Sequence, residues 1–129
     1  MTIIQRIKDL NFPFNQFVVI GSGLLDAYGL RSADDIDLVV SDGLYELLKQ
    51  KGVYKELLKH DESYLEGDKL EIWLTWGKNT DFNSLYLDSV VIDGIHFVNL
   101  RFLIEKKYEM GRTKDIEDIR LLEQYLNGH

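Results

Sequence analysis

Apolar residues recur along the chain at two spacings, and the changes between them predict an alternation of helices and strands. Helical spacing predicts helices over residues 3–10, 23–28 and 44–51. Short β-branched runs predict strands over 16–20 and 36–40. The first part of the chain is therefore predicted to run helix, strand, short helix, strand, helix.

The middle of the chain carries weaker patterns. Residues 69–76 alternate between apolar and polar and predict a strand, whereas 53–58 fit either a helix or a strand. Residues 82–87 are predicted to be extended. The stretch 90–98 holds Asp93-Gly94 between two apolar runs, which predicts a β-hairpin.

Helical spacing returns near the end of the sequence, where one helix is predicted over 100–110 and another from Thr113. The alternation of elements places the chain in the α/β (α+β) class. We expect a single domain over 1–129, in which an α/β core over 1–98 carries a C-terminal helical pair over 99–129.

The composition is that of a folded domain. Of the 129 residues, 45% are hydrophobic, which is enough for a buried core. The absence of cysteine excludes disulfides and cysteine metal sites. A formal net charge of -7 disfavours non-specific nucleic-acid binding, because phosphate contacts need clustered lysine and arginine. No transmembrane stretch or signal peptide is recognisable, so we expect no membrane association and a cytoplasmic location.

Two aspartates at the second predicted strand are candidates for chemistry. Asp35 and Asp37 are two residues apart, so both carboxylates would point to one face of a strand. Ionised carboxylates at that distance repel each other and raise each other's pKa. A divalent cation removes this conflict, and ligands that are all oxygen suit Mg²⁺ or Mn²⁺ rather than Zn²⁺. The pair therefore predicts a magnesium or manganese site.

A Gly-Ser step lies upstream of these aspartates. Gly21 allows the backbone to approach a ligand closely, and Ser22 is expected to cap a short helix whose free N–H groups favour an anion. A phosphate here and a metal at the aspartates would form complementary halves of a nucleoside triphosphate site. Arg31 is a candidate to bind phosphate, or else to pair with Asp34.

Three other motifs fit this stretch less well. A dinucleotide-binding loop beginning at Gly21 would need glycine or alanine where Asp26 stands. A Walker A loop would need Gly-Lys followed by serine or threonine, which the sequence lacks. An EF-hand loop would need a glycine and a terminal glutamate, which the cluster of Asp34, Asp35 and Asp37 does not have.

Residues 20–40 resemble the signature of the polymerase-β-like nucleotidyltransferase superfamily. That signature runs strand, Gly-Ser, short helix and then Asp-x-Asp on the next strand, and here the second part reads SADDIDL over 32–38. The resemblance is to the minimal, small prokaryotic members. It implies a mixed β-sheet of the nucleotidyltransferase type with flanking helices.

The resemblance also implies a third acidic residue on a later strand, which completes a two-metal site with Asp35 and Asp37. Glu71 is the candidate, since it shares a face of its predicted strand with Trp73 and Thr75. Many members have aspartate here, and glutamate is one methylene longer. The three carboxylates are thus implied as catalytic and metal-binding, with Glu71 helping to activate an acceptor hydroxyl.

A second stretch resembles small nucleotidyltransferases of the antibiotic-modifying and abortive-infection toxin types. Their pattern of a lysine followed by Arg-x-Lys-Asp-x-x-Asp is matched by Lys106 or Lys107 and then by Arg112, Lys114, Asp115 and Asp118. The resemblance implies that the lysine meets the triphosphate and that both aspartates lie close to the active site. On the residues alone, a solvated basic turn and an acidic helix start are equally open interpretations.

The resemblance implies an enzyme that transfers a nucleoside monophosphate from a nucleoside triphosphate to an acceptor hydroxyl, with two Mg²⁺ ions and release of pyrophosphate. The acceptor stays open among a small molecule, a protein and an RNA end. A homodimer or a partner protein could complete its pocket. The alternatives are an inactive module of the same fold, which binds nucleotide or acts as a toxin–antitoxin-type partner, and a plain protein-interaction domain.

Overall fold

The computed structural model describes residues 1–77 and 80–128, and within these ranges it contains a seven-stranded mixed sheet. The strands are β1 (Phe17–Ile20), β2 (Ile36–Val40), β3 (Lys55–Lys59), β4 (Glu62–Gly67), β5 (Leu70–Trp73), β6 (Val90–Ile92) and β7 (Ile95–Phe97). Their order across the sheet is β3-β4-β5-β2-β1-β7-β6. The predicted α+β class with a mixed sheet is confirmed.

The α-helices of the described residues are α1 (Ile3–Asp9), α2 (Gly23–Ala27), α3 (Asp42–Lys51), α4 (Phe82–Leu87), α5 (Leu100–Met110) and α6 (Thr113–Gly128). Ser41 Oγ accepts a hydrogen bond from Leu44 N at 3.2 Å and caps α3, which ends at Gly52 with a φ of 72°. Asn99 caps α5 through a 3.0 Å bond from Phe102 N. In the described part of the chain, no helix combines the length and the apolar character that crossing a bilayer requires.

The pairing of strands at the centre of the sheet brings the acidic residues Asp37 and Glu71 together. β2 pairs antiparallel with β1 and parallel with β5. In this register Asp37 lies opposite Ile20 on one side and Glu71 on the other. Because neighbouring strands are about 5 Å apart, these two carboxylates start from adjacent positions.

The hydrophobic core surrounds β1, whose four residues are all buried. Helix α1 contributes Ile7 to this core, and α2 contributes Leu24. The C-terminal pair of helices, α5 and α6, joins the same core through Leu103 and Leu122. The helical pair is therefore fixed against the sheet, close to the step that follows β1.

Two of the predicted elements need correction. Residues 82–87 form a helix rather than an extended segment, because the Asp81 carboxylate accepts a hydrogen bond from Ser84 N at 3.0 Å and caps it. The strand predicted over 69–76 is shorter than expected. Beyond β5, Thr75 forms only an isolated bridge with Asp81.

Two hairpins turn on pairs of residues with positive φ. The hairpin predicted at Asp93-Gly94 is confirmed, with φ values of 53° and 80°. A second hairpin joins β3 to β4 at His60 and Asp61, with φ values of 54° and 63°. Positive φ at both central residues is the pattern of a type I′ turn. This second hairpin settles the ambiguity of 53–58 in favour of a strand.

Gly23, the first residue of α2, has no room for a larger side chain, since a Cβ would lie 2.5 Å from Val19 Cγ1. We expect Gly23→Ala to lower the free energy of unfolding by about 1–3 kcal/mol, measured by urea denaturation. Gly43→Ala in α3 is the control, because a Cβ there meets nothing within 4 Å and should leave stability unchanged or slightly higher. Equal effects of the two substitutions would contradict the packing argument.

Candidate active site

A cavity of about 450 Å³ opens where the sheet meets the C-terminal helices. The predicted site residues that line it are Gly21, Ser22, Asp37, Glu71, Lys107, Arg112 and Lys114. The predicted site residues outside this lining are Arg31, Asp35, Asp115 and Asp118. The fold thus gathers segments from both ends of the chain around one space.

Asp37 and Glu71 are carboxylates of the cavity lining, and the parallel pairing of β2 with β5 places them side by side. Gly21 lies against the first of them. A Cβ on Gly21 would be 3.0 Å from Asp37 Oδ2, and the residue has a φ of 68°. Both the space and the backbone conformation therefore require glycine at this position.

Asp37 carries a charge that its surroundings disfavour. Burial, followed by the negative charges of Glu71 and Asp35, raises the pKa of Asp37 to about 6. Lys59 and Lys114 act in the opposite direction and are outweighed. The repulsion expected between Asp35 and Asp37 is present, but burial and Glu71 contribute more. A proton or a cation would relieve it.

Each carboxylate oxygen of Glu71 contacts a neighbouring side chain, one on β5 and one on β3. Trp73 Nε1 donates to Glu71 Oε1 at 3.1 Å, and Lys59 Nζ lies 3.6 Å from Oε2. The Trp73 ring stacks on Tyr64 with centroids 4.3 Å apart. Lys59 Nζ lies over both rings, 5.4 Å and 6.0 Å from their centroids. These contacts hold Glu71 on the hairpin side of the cavity.

Asp35 lies just before β2, whose bounds are those predicted, and it is exposed, whereas Asp37 lies within the strand. The loop that carries it is nevertheless well fixed. Arg6 donates to the carbonyl oxygens of Ala33 and Asp34 at 3.0 Å and 2.6 Å. The Asp26 carboxylate accepts a bond from Ala33 N at 2.8 Å. The aspartate that excluded a dinucleotide motif therefore helps to position this loop.

The three carboxylates fit a divalent cation by their chemistry. They offer only oxygen donors, which Mg²⁺ and Mn²⁺ prefer, and the raised pKa of Asp37 marks negative charge that a cation would offset. Across residues 1–77 and 80–128, no three histidine, cysteine or acidic side chains are already arranged as a metal centre. Asp37 and Glu71 are paired across β2 and β5, and Glu71 is also 3.6 Å from Lys59.

Lys107 on α5 is buried together with two carboxylates of α6. Its Nζ donates to Asp118 Oδ2 at 2.9 Å and lies 3.6 Å from Asp115 Oδ1. None of these side chains is more than 2% exposed. Burial acts to raise the pKa of Asp118, but hydrogen bonds from Arg31 and Lys107 hold that pKa below its usual value. The carboxylates are therefore ionised partners of the buried lysine.

Arg31 joins this network to the Gly-Ser step. Its Nε and Nη2 donate to the two oxygens of Asp118 at 2.6 Å and 2.7 Å, and Nη2 also donates to Ser22 Oγ at 2.7 Å. Lys107 Nζ lies 3.4 Å from the same hydroxyl. Ser22 is the N-cap residue of α2, as predicted, but its side chain makes no capping bond, and its hydroxyl oxygen accepts from these cations instead. The pairing of Arg31 with Asp34 is wrong too, since its carboxylate partner is Asp118.

Arg112 and Lys114 complete the basic side of the cavity. Arg112 Nε and Nη2 donate to the Asp115 carboxylate at 2.6 Å and 3.1 Å, and the Arg112 backbone N–H donates to it at 3.1 Å. Lys114 is exposed on the rim. The structure therefore places Asp115 and Asp118 beneath the lining, where they fix its cations.

The lining also includes polar, aromatic and sulfur-bearing side chains that no sequence motif marks: Lys59, His60, Glu62, Thr75, Trp76 and Met110. Most of them come from the β3–β4 hairpin and the segment after β5, which carry no recognisable motif. Trp73 also lines the cavity. Tyr28 lies outside the lining and stacks on Tyr125 of α6, with ring centroids 4.2 Å apart.

No family model matches the sequence, and no curated protein matches it. Solved structures do resemble the fold. The crystal structure of ANT(2″)-Ia in complex with adenylyl-2″-tobramycin has a TM-score of 0.58 and 22% identity, covering 97% of this chain and 86% of that one. The solution structure of ANT(2″)-Ia, an antibiotic-resistance factor, has a TM-score of 0.58 and 20% identity, covering 96% and 80%.

A crystal structure from Thermotoga maritima, of a protein proposed to be a nucleotidyltransferase, has a TM-score of 0.57 and 19% identity, covering 100% of this chain and 97% of that one. This chain has the nucleotidyltransferase fold. The expected mixed sheet with its C-terminal helical pair is thus matched by solved nucleotidyltransferase structures over nearly the whole chain.

The pKa of Asp37 predicts a pH-dependent effect of Asp37→Asn in EDTA. A folded pKa of about 6, above the ordinary 3.8, means that the ionised carboxylate destabilises the fold increasingly as pH rises between these values. At pH 8 the amide should raise the free energy of unfolding by about 1–3 kcal/mol. At pH 4 the carboxyl of the folded protein is protonated, so the gain should fall below about 1 kcal/mol. Urea denaturation at both pH values measures this, and an equal gain at both would contradict it.

Asp118→Asn should be strongly destabilising, because it leaves the buried Lys107 ammonium and Arg31 without their shared carboxylate. We expect a loss of about 2–4 kcal/mol in the free energy of unfolding by urea denaturation at pH 7. Glu117→Gln is the matched control, since that neighbouring carboxylate is exposed and pairs with Arg120 on the surface. A loss no larger than the control's would show that the network does not support the fold.

Proposed function

We propose that this chain is a nucleotidyltransferase that moves a nucleoside monophosphate from a nucleoside triphosphate to an acceptor hydroxyl. The observation that carries the proposal is one cavity in which carboxylates of two paired strands face cations of the C-terminal helices. The nucleotidyltransferase fold supports it from a separate direction. Nucleotidyl transfer depends mainly on positioning and charge neutralisation, which such a site can supply.

The triphosphate is proposed to bind along the basic side of the cavity. A lysine suits phosphate as a compact charge, and an arginine can bind it through two N–H groups. Lys107 and Arg112 are held in place by carboxylates beneath them, so little ordering is needed when the ligand arrives. Ser22 Oγ accepts bonds from Arg31 and Lys107, and its own hydrogen can be donated to a phosphate oxygen.

In the proposed reaction the acceptor oxygen forms a bond to the α-phosphorus. The bond from that phosphorus to the oxygen bridging the β-phosphorus breaks, and pyrophosphate leaves. Glu71 is assigned as the carboxylate that takes the hydroxyl proton, because it lines the cavity beside Asp37. Mg²⁺ or Mn²⁺ held by these two residues with Asp35 would neutralise charge on the entering and leaving oxygens.

A small molecule, a protein hydroxyl and an RNA end all remain acceptors in this proposal, and a homodimer or partner protein would complete their pocket. A second candidate is a nucleotide-binding module that catalyses no transfer. It is favoured by the contacts of Trp73 and Lys59 with both oxygens of Glu71. Transfer of label from α-labelled ATP to any acceptor, or to the protein itself, separates the two candidates.

Asp37→Asn is expected to abolish Mg²⁺-dependent binding of nucleoside triphosphates, because it removes the central carboxylate charge. Isothermal calorimetry with each ribonucleoside triphosphate, first with Mg²⁺ and then with EDTA, measures the loss. Asp34→Asn is the matched control, since Asp34 is exposed, pairs with Lys69 and is not part of the cavity lining. A variant that still bound nucleotide with normal Mg²⁺ dependence would remove Asp37 from the site.

A further inference from the structure

The β3–β4 hairpin forms a wall of the cavity that the proposed nucleotide does not use. In the sheet order, β1 and β3 lie on opposite sides of β2 and β5. The Gly-Ser step after β1 therefore lies on one side of the paired carboxylates, and the hairpin turn lies on the other. An acceptor that approaches the α-phosphorus from beyond the carboxylates must meet this hairpin.

Lys59, at the end of β3, is the cation of this wall. Its side chain is 47% exposed, so its ammonium group can be reached from the cavity. The stacked rings of Tyr64 and Trp73 lie beneath the ammonium and favour a cation at that place. His60, the next residue, lines the same cavity and offers a ring N–H donor.

The carboxylate that now balances Lys59 is the one that the proposed reaction needs. Lys59 Nζ lies 3.6 Å from Glu71 Oε2, so this lysine is paired with a carboxylate that the proposed reaction also uses. Glu62, the other carboxylate of the wall, accepts a hydrogen bond from Thr75 Oγ1 at 2.8 Å. When Glu71 turns towards Asp37, Lys59 loses its present partner and faces the cavity as a positive charge.

We propose that Lys59 determines acceptor specificity and selects an acceptor that carries an anionic group, carboxylate or phosphate, near the reacting hydroxyl. The anionic group replaces Glu71 beside Lys59 and releases Glu71 towards Asp37. Lys59 disfavours a polycationic acceptor at this place, since like charges brought together cost free energy. Selection of an acceptor rests on the proposed nucleotidyl transfer. Binding of an anion at Lys59 does not depend on it.

The test uses NMR spectra of the full ¹⁵N-labelled chain, in which two signals report on the two walls. The Gly21 amide reports on the nucleotide side, and the Trp73 indole N–H, which donates to Glu71, reports on the hairpin side. A non-hydrolysable ATP analogue with Mg²⁺ is added to saturation, and inorganic phosphate is then titrated. The analogue should move the Gly21 signal, and phosphate should then move the Trp73 indole signal.

Lys59→Met should weaken the phosphate effect on Trp73 at least about fivefold, because it removes a charged donor at a partly exposed site. Lys55→Met is the matched control, since this lysine is on the same strand but not in the cavity lining, and its affinity for phosphate should equal that of the wild type. Malonate in place of phosphate shows which anionic group is preferred. Tobramycin, the cationic comparison, should leave the Trp73 signal in place.

Three results would overturn the inference: no movement of the Trp73 signal with either anion, unchanged anion affinity in Lys59→Met, or a response to tobramycin as large as that to phosphate. The proposed function has a separate readout. If the ATP analogue fails to move Gly21 while phosphate still moves Trp73 through Lys59, nucleotide binding is contradicted and the anion site stands.

Discussion

The buried carboxylate of Asp118 makes the contact on which the arrangement of the site depends. From α6 it binds Lys107 of α5 and Arg31 of the loop after α2, and Arg31 in turn holds Ser22. One acidic side chain therefore connects the helical pair to the step that follows β1. Because buried charges are tolerated only when they are paired, these elements must take up their positions together.

Two groups of acids in this small protein experience opposite surroundings. Cations surround Asp115 and Asp118 and lower their pKa values despite burial. Burial and like charges raise the pKa of Asp37. The first group gives the cavity a rigid basic side, and the second leaves negative charge in need of a partner. Shifted pKa values of this kind cluster at functional sites.

The parts of the site that are encoded locally could be predicted from the sequence. The Gly-Ser step and the Asp-x-Asp pattern lie in one short segment with strong strand and turn preferences, and the cavity contains residues of both. Glu71 was predicted from the family resemblance rather than from a local pattern. The pairing of β2 with β5 explains how it comes to lie beside Asp37 in the cavity. The role of Asp118 depends on burial, which residue spacing does not encode. The β3–β4 hairpin escaped prediction because His60 and Asp61 adopt positive φ without glycine.

Helix α6 supplies the carboxylate partners of both Lys107 and Arg112. Ribosomes release a chain from its N-terminus, so the strands and these two cations emerge before the helix that fixes them. A nascent chain that has not yet freed residues 113–128 carries the acidic half of the cavity without an ordered basic half. The order of synthesis therefore delays assembly of the cavity until translation has passed the last helix.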